Sequence, residues 1–270
     1  MNIDKNALKY VKIIGMDLDG VVYQGRIIYD GVSEALEKIE SMGYEIEFLT
    51  NNSTRASFEI EESLKSLGIK LKNIRVINSI DTTIELLSRL KIPKNKKIHV
   101  LGSESLIRSI QNEGYLLSEA FGSDYLIVGF TPEFNYQTIC SGVDALHSRA
   151  MFIACNVEGN YPDHNGHLKP GCGAIVAAIS AGSKQAPNYI SGKPSTIMLE
   201  MLMAKYRCSP HEILVIGDTL ESDIQMALNF GSPSCWVSGT KNTDKISLPT
   251  FTINKLVELP EILLKIQDSL

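Results

Sequence analysis

Short apolar runs alternate with helix-spaced segments along the whole chain. The runs are rich in β-branched residues, and several contain no polar position, which is typical of strands covered on both faces. They lie at 11–18, 44–50, 74–78, 97–102, 124–130, 151–156, 188–192, 212–218, 234–239 and 250–253. Between them, apolar residues recur at helical spacing, as at Val32, Leu36 and Ile39. The alternation predicts an α/β fold with a mostly parallel sheet.

Chemically active side chains follow four of these runs. The segments are Asp17-Leu18-Asp19-Gly20, Thr50-Asn51-Asn52-Ser53, Gly192-Lys193-Pro194 and Gly217-Asp218-Thr219, with Asp223 a few residues later. Ligands of open parallel sheets bind beyond the carboxyl ends of the strands. We therefore expect the four segments to contribute to one site.

The composition of the chain limits the class of protein to which this site can belong. The 270-residue chain has a net charge of -5 without a block of like charges, so no nucleic-acid partner is expected. Its five cysteines are odd in number and form no CxxC pair, which argues against a disulfide framework or a zinc site. The longest apolar stretch, 174–181, is too short to span a bilayer, and the start lacks a signal-peptide pattern. These features predict a cytoplasmic protein without a membrane partner.

The paired acids Asp17 and Asp19 need an explanation because like charges so close repel each other. The repulsion is roughly 1 kcal/mol in water and about 4 kcal/mol at an effective dielectric of 20. A bound cation or protonation of one acid would offset it. Mg²⁺ accepts carboxylate and carbonyl oxygens and keeps several waters, and Asp17 and Asp218 could supply such oxygens from different strands.

A phosphate group fits the remaining side chains. Lys193 would add positive charge, and Thr50 with the amides around Asn51 would donate hydrogen bonds to its oxygens. Phosphoryl transfer requires little more than such positioning and charge neutralisation. One carboxylate can act as the nucleophile, and a second can act as general acid and then base.

Each segment alone also has a structural interpretation. Asp17-Leu18-Asp19 can form a turn with a helix cap, Thr50-Asn51-Asn52-Ser53 a turn with an N-cap, and Gly217–Asp223 a capped helix start. Lys193 can be an ordinary loop lysine, and it is not a Walker A lysine because Pro194 replaces Ser or Thr. The combination of four such segments in one chain favours the phosphate site.

In this order, the four segments resemble the motifs of the haloacid dehalogenase superfamily of phosphatases. The resemblance implies that Asp17 is the nucleophile and that Asp19 is the acid and base, with its backbone carbonyl on Mg²⁺. It also implies that Asp218 is a metal ligand and that Asp223 supports the metal site. Thr50 and Lys193 match the second and third motifs.

A closer resemblance is to the 4-nitrophenylphosphatase branch, which includes phosphoglycolate, pyridoxal-phosphate and nucleotide phosphatases. It rests on the segments 49–55, 100–102, 124–130, 132–136 and 170–174. The resemblance implies a Rossmann-like core at 1–80 and 188–270 with an inserted α/β cap at 81–187. Tyr161 stands where some relatives place a substrate-contacting His. The segment Cys155-Asn156-Val157-Glu158 departs from the branch's frequent Thr-Asn-Pro-Asp.

The predicted function is a Mg²⁺-dependent phosphomonoesterase that hydrolyses small phosphorylated metabolites through an aspartyl-phosphate. The predicted phosphate- and substrate-binding residues are Thr50, Asn51, Asn52, Lys193 and Tyr161. Two alternatives stay open: a phosphomutase or phosphotransferase with the same intermediate, and a catalytically silent protein that binds a phosphorylated ligand. The resemblance also allows a homodimer formed through the cap.

Overall fold

The computed structural model describes residues 5–25, 27–163, 166–238 and 249–268. The helices are α1 (Lys5–Leu8), α2 (Val32–Ser41), α3 (Ser57–Ser66), α4 (Ser79–Arg89), α5 (Glu104–Asn112), α6 (Tyr136–His147), α7 (Cys172–Ser183), α8 (Ile197–Tyr206), α9 (Gln225–Phe230) and α10 (Leu259–Gln267). The strands are β1 (Ile13–Met16), β2 (Tyr23–Gln24), β3 (Ile27–Ile28), β4 (Glu45–Thr50), β5 (Val76–Asn78), β6 (Lys97–Leu101), β7 (Leu116–Leu117), β8 (Tyr125–Val128), β9 (Met151–Ala154), β10 (Asn160–Pro162), β11 (Leu168–Pro170), β12 (Tyr189–Ile190), β13 (Ile213–Gly217), β14 (Ser234–Val237) and β15 (Phe251–Ile253).

The described residues divide into two compact units. The first unit takes those of Met1–Thr50, Ile60–Ile77 and Pro194–Leu270, and the second takes Asn51–Glu59 and Asn78–Lys193. The second unit therefore interrupts the first in sequence.

The first unit is built on a six-stranded sheet with the order β15-β14-β13-β1-β4-β5. Strand β1 lies between β13 and β4 and runs parallel to both, with Ile13 opposite Ile213 and Glu45. The carboxyl ends of these three strands therefore lie at the same edge of the sheet, where the sequence places Asp17, Thr50 and Asp218.

Both faces of this sheet are covered by helices. Ile14 and Met16 of β1 belong to a core with Leu36 of α2 and Leu263 of α10. Ile13 belongs to a second core with α8 and α9. Successive strand residues point to opposite faces, so a strand buried on both sides is apolar throughout. This explains why the central runs show no alternation of apolar and polar positions.

The second unit contains a five-stranded parallel sheet with the order β12-β9-β8-β6-β7. Helices α6 and α7 pack on it through Leu146 and Ile179, beside Phe152 of β9. A Cβ atom on Gly142 would lie only 2.8 Å from Ile179 Cδ1, so glycine allows the two helices to approach closely. An antiparallel pair, β10 and β11, places Tyr161 opposite Lys169.

The predicted fold class is confirmed: a parallel α/β core carries an inserted α/β segment. A strand is observed within each of the ten predicted runs, and each strand is shorter than its run. Five of the strands that the structure describes were not predicted, because such short strands leave little periodic signal. They are β2, β3, β7, β10 and β11. Within the described ranges, none of the helices combines the length and the apolar character needed to cross a bilayer.

Candidate active site

Asp17 is held at the end of the central strand. Its backbone N–H donates to the Ile216 carbonyl over 2.8 Å, which extends the ladder between β1 and β13 by one residue. The Asp17 side chain is buried, and the next residue, Leu18, is completely buried in the core. The ladder and this apolar anchor fix the position of the carboxylate.

Asp19 lies outside the strand. Strand β1 ends at Met16, three residues before Asp19. The chain then turns at Gly20, whose φ is +85° and whose N–H donates to the Tyr23 carbonyl over 2.9 Å. Asp19 is exposed where Asp17 is buried, so the two acids occupy different environments.

Asp218 and Asp223 follow β13 through a π-helical turn at Leu220–Ile224. The turn carries the Asp223 side chain back toward the strand, where its Oδ2 accepts from the Thr219 N–H at 3.2 Å. A Cβ atom on Gly217 would lie 2.1 Å from Asp223 Cγ, and one on Gly20 would lie 2.4 Å from Asp218 Oδ2. Two glycines thus provide the space that these carboxylates occupy.

Asp17, Asp218 and Asp223 bring their side chains together in one group of three carboxylates. One ligand atom from each lies within 4.8 Å of the others, and no other His, Cys, Asp or Glu trio in the described part of the chain meets this spacing. Three like charges at such distances repel, and a divalent cation would offset the repulsion. A donor set made only of oxygen suits a hard cation such as Mg²⁺ or Ca²⁺. The residues present therefore fit a divalent metal.

Tyr29 lies near this group and was not predicted as a site residue. Burial, and then the negative charges of Asp218 and Asp19, raise the pKa of its phenol. The hydroxyl therefore stays protonated well above neutral pH and remains a potential hydrogen-bond donor beside two acids.

Thr50 is the last residue of β4 and is buried. Strand β4 is the direct neighbour of β1, with Phe48 opposite Met16. Thr50 therefore ends a strand next to the one that carries Asp17, as the sequence predicts.

Asn51 and Lys193 meet in the second unit. The Asn51 carboxamide accepts from the Lys193 N–H at 2.8 Å and donates to the Lys193 carbonyl at 3.1 Å. The Asn51 amide group also donates to Glu158 Oε1 at 2.9 Å, and Asn156 donates to the Asn51 carbonyl at 2.7 Å. Lys193 is only 2% exposed, so this amide network positions a buried lysine.

Asn52 and Tyr161 have different surroundings. The Asn52 side-chain oxygen accepts from the N–H groups of Thr54 and Arg55 at 2.9 and 3.2 Å, which stabilises the local turn. Tyr161 is 43% exposed on β10, and its ring meets that of Phe130 edge to face at 5.7 Å. The substrate-binding roles of both residues remain predictions.

Sequence reasoning did not identify Glu158, Asn156 or Trp236 as site residues. Glu158 and Asn156 contact Asn51 from more than a hundred positions away, and Trp236 donates to the Asp218 carbonyl from a neighbouring strand. For Asn156 and Glu158, the sequence contained one signal. The segment Cys155-Asn156-Val157-Glu158 departs from the Thr-Asn-Pro-Asp that is frequent in the 4-nitrophenylphosphatase branch.

Two family models match parts of the chain. Residues 14–116 match the family model described as haloacid dehalogenase-like hydrolase, and residues 190–259 match a second model of the same kind. The two matches contain Asp17, Asp19, Thr50, Lys193 and Asp218.

Curated and solved relatives cover most of the chain. Phosphoglycolate phosphatase 2 of Arabidopsis thaliana is 28% identical over 84% of this chain and 82% of its own length. An acid sugar phosphatase of Staphylococcus haemolyticus is 26% identical over 89% and 92%, respectively. The structure of a 4-nitrophenylphosphatase from Thermotoga maritima superposes with a TM-score of 0.85 at 25% identity, covering 94% of this chain and 98% of that one. The chain belongs to the haloacid dehalogenase-like hydrolases and is a phosphatase of that family.

Proposed function

We propose that the protein is a Mg²⁺-dependent phosphomonoesterase that hydrolyses small phosphorylated metabolites through an aspartyl-phosphate on Asp17. The observation that carries the proposal is the group formed by Asp17, Asp218 and Asp223, whose ligand atoms lie within 4.8 Å of one another. A site with three carboxylates repels a phosphate dianion unless a cation is present, so the group suits phosphate chemistry only with a metal.

The Asp17 and Asp218 carboxylates and the Asp19 carbonyl would hold Mg²⁺, with Asp223 supporting the site. When bound, the metal would neutralise carboxylate charge and let the phosphate approach. The hydrogen bond from Thr219 N–H to Asp223 orients the supporting carboxylate, as the partners of metal ligands commonly do.

In the proposed first step, a carboxylate oxygen of Asp17 attacks phosphorus. An O–P bond forms to Asp17, and the bond from phosphorus to the ester oxygen breaks. Asp19 gives its proton to the departing oxygen, which leaves as an alcohol. We propose that Thr50, Asn51 and Lys193 hold the phosphoryl oxygens, with Lys193 balancing their charge.

In the second step, Asp19 acts as a base. It takes a proton from water while the water oxygen bonds to phosphorus, and the bond from phosphorus to Asp17 breaks. Inorganic phosphate leaves, and Asp17 returns as a carboxylate with Asp19 protonated. The exposure of Asp19 supports this role, because a proton carrier must reach both leaving group and water.

The names of the relatives support a small substrate. They include a phosphoglycolate phosphatase, an acid sugar phosphatase and a 4-nitrophenylphosphatase. We propose that Tyr161, a partly exposed aromatic side chain in the second unit, contributes to substrate choice.

The test replaces the two acids separately. Asp17→Asn removes the nucleophile, so kcat with 4-nitrophenyl phosphate and Mg²⁺ should fall about 10⁴-fold or more. Asp19→Asn should instead release one equivalent of nitrophenolate per enzyme and then stall, because this leaving group needs no proton but the second step needs a base.

The matched control is Asp144→Asn, which removes an exposed carboxylate on α6 in the second unit and should leave kcat unchanged. Turnover by Asp17→Asn at the wild-type rate, with circular dichroism showing an intact fold, would contradict the proposed nucleophile.

A further inference from the structure

Trp236 is the only tryptophan of the chain, and it contacts the backbone of Asp218 from β14. It lies directly opposite Gly217 in the parallel register of β13 and β14. Its indole N–H donates to the Asp218 backbone carbonyl over 3.0 Å. The side chain therefore contacts Asp218, two residues before the π-helical turn at Leu220–Ile224.

The peptide unit between Asp218 and Thr219 is held at both ends. Its carbonyl accepts from Trp236, and its N–H donates to the Asp223 carboxylate at 3.2 Å. A peptide plane fixed at both its oxygen and its hydrogen cannot rotate without breaking one of these bonds. Such rotation would redirect the side chain of Asp218, so the two bonds fix its direction.

The Asp218 carboxylate has an additional local contact. The Thr219 hydroxyl donates to Asp218 Oδ1 at 3.1 Å. This bond depends on the same peptide orientation, because Thr219 is attached to that peptide plane. Loss of the indole donor would therefore loosen the carboxylate as well as the backbone.

We propose that Trp236 is a positioning residue for the metal site, acting through the Asp218 carbonyl rather than on substrate. The inference rests on the metal-holding role proposed above for Asp218. It also makes the emission of the single tryptophan a reporter of metal binding, since the indole contacts the residue that the cation would bind.

The first test is calorimetric titration of the full chain with Mg²⁺ alone. Trp236→Phe keeps an aromatic ring but removes the N–H donor, and its Kd for Mg²⁺ should rise about tenfold or more, the usual effect of losing a partner of a metal ligand. The control is Thr252→Val, because Thr252 pairs with Trp236 from β15 and is likewise half-buried. Its Kd should stay within twofold of wild type.

A Trp236→Phe protein that binds Mg²⁺ within twofold of wild type would overturn the proposal. Melting in EDTA shows whether the variant is folded. If the variant is not folded, the tryptophan emission of the wild-type protein is measured during the Mg²⁺ titration instead. Mg²⁺ should change the emission, and the Kd obtained from that change should equal the Kd from calorimetry. Asp218→Asn should abolish the change in emission. Calorimetric binding with no change in emission would also overturn the proposal.

These readouts are independent of turnover. If Asp17→Asn retained activity, the proposed chemistry would fail while the Mg²⁺ titrations could still support Trp236. If Trp236→Phe bound Mg²⁺ normally while Asp17→Asn was inactive, only the positioning role would fail.

Discussion

The two units contain parallel sheets of similar build, but the residues that follow their strands differ in charge. In the first unit, Asp17 follows β1 and Asp218 follows β13. In the second unit, Gly102 follows β6, Gly129 follows β8 and Cys155 follows β9. The sheet architecture alone therefore does not make an acidic site. The site depends on which side chains the turns after the strands present.

Glycines at these strand ends serve different neighbours. A Cβ atom on Gly217 would lie 2.1 Å from Cγ of the Asp223 carboxylate. A Cβ atom on either Gly102 or Gly129 would lie 2.7 Å from Leu106 Cδ2, the end of a core side chain. Glycine makes room for a carboxylate side chain in the first unit and for apolar packing in the second.

Gly217→Ala should have the largest effect of the substitutions that test this comparison. The new methyl group cannot coexist with the present position of Asp223, and displacing that carboxylate dismantles the group of three. We expect Mg²⁺ binding measured by calorimetry to become undetectable and kcat to fall about 100-fold or more.

Gly102→Ala is the matched change in the second unit. The flexible end of Leu106 can shift, so we expect a loss of about 1–3 kcal/mol in the free energy of unfolding, the usual cost of overpacking. Its Kd for Mg²⁺ should match that of wild type. Equal damage to Mg²⁺ binding by both variants would refute the distinction drawn between the two glycines.

Asn51→Ala probes the hydrogen-bond network around Asn51 in the second unit. It removes the acceptor of the buried Lys193 N–H and the donor to Glu158. A buried group left without its partner costs about 1–3 kcal/mol, so urea unfolding should show a loss of that size. KM for 4-nitrophenyl phosphate should rise because Lys193 loses its anchor.

The Kd of Asn51→Ala for Mg²⁺ should stay unchanged, since none of the hydrogen bonds lost with the Asn51 side chain goes to Asp17, Asp218 or Asp223. A large loss of Mg²⁺ affinity would show that the two clusters are not energetically separate. Asn52→Ala is the comparison variant, because the Asn52 side-chain oxygen accepts from Thr54 and Arg55 in a local turn.

Tyr206→Phe should have the smallest effect, and it lies away from the carboxylate group. The Tyr206 hydroxyl donates to Glu47, a 1% exposed carboxylate within β4, at 2.5 Å. Burial, and then the hydrogen bond to Glu47, raise the pKa of Tyr206. Losing this bond should cost about 1 kcal/mol at pH 8.

The pH dependence of this cost follows from the raised pKa. The unfolded phenol ionises near pH 10, below the folded pKa, so the stabilisation is complete below about pH 10 and is lost as the pH rises further. The difference between wild type and Tyr206→Phe in urea unfolding should shrink between pH 8 and pH 11. A constant difference would contradict the assignment. Tyr10→Phe, at a 60% exposed side chain, is the control.

Local pattern made much of the fold predictable. Ile14, Met16 and Ile216 lie in apolar runs because their strands are covered on both faces. Asp17 and Asp218 are covalently next to strand ends, so predicting the strands also places them at one edge of the sheet. Thr50 was placed by the same argument.

The remaining features depend on contacts between distant positions or on unusual backbone. Glu158 reaches Asn51 across 107 positions, and no periodicity reports such a contact. Asp223 joins the group of three carboxylates because Leu220–Ile224 form a π-helical turn instead of an ordinary helix start. The sequence of this segment does not predict a π-helical turn. The sequence also does not show that Asp19 is exposed while its neighbour Leu18 is completely buried.

The sheet order of the first unit has a consequence for synthesis on the ribosome. Strand β1 is made early, but its partner β13 pairs Ile213 with Ile13 and is made two hundred residues later. At a synthesis rate of about 5–20 residues per second, one edge of β1 stays unpaired for roughly 10–40 s before β13 has been made. Exposed edges of this kind invite pairing with other chains. Nascent chains that stop before β13 should therefore depend on chaperones, and fragments that end there should accumulate as aggregates.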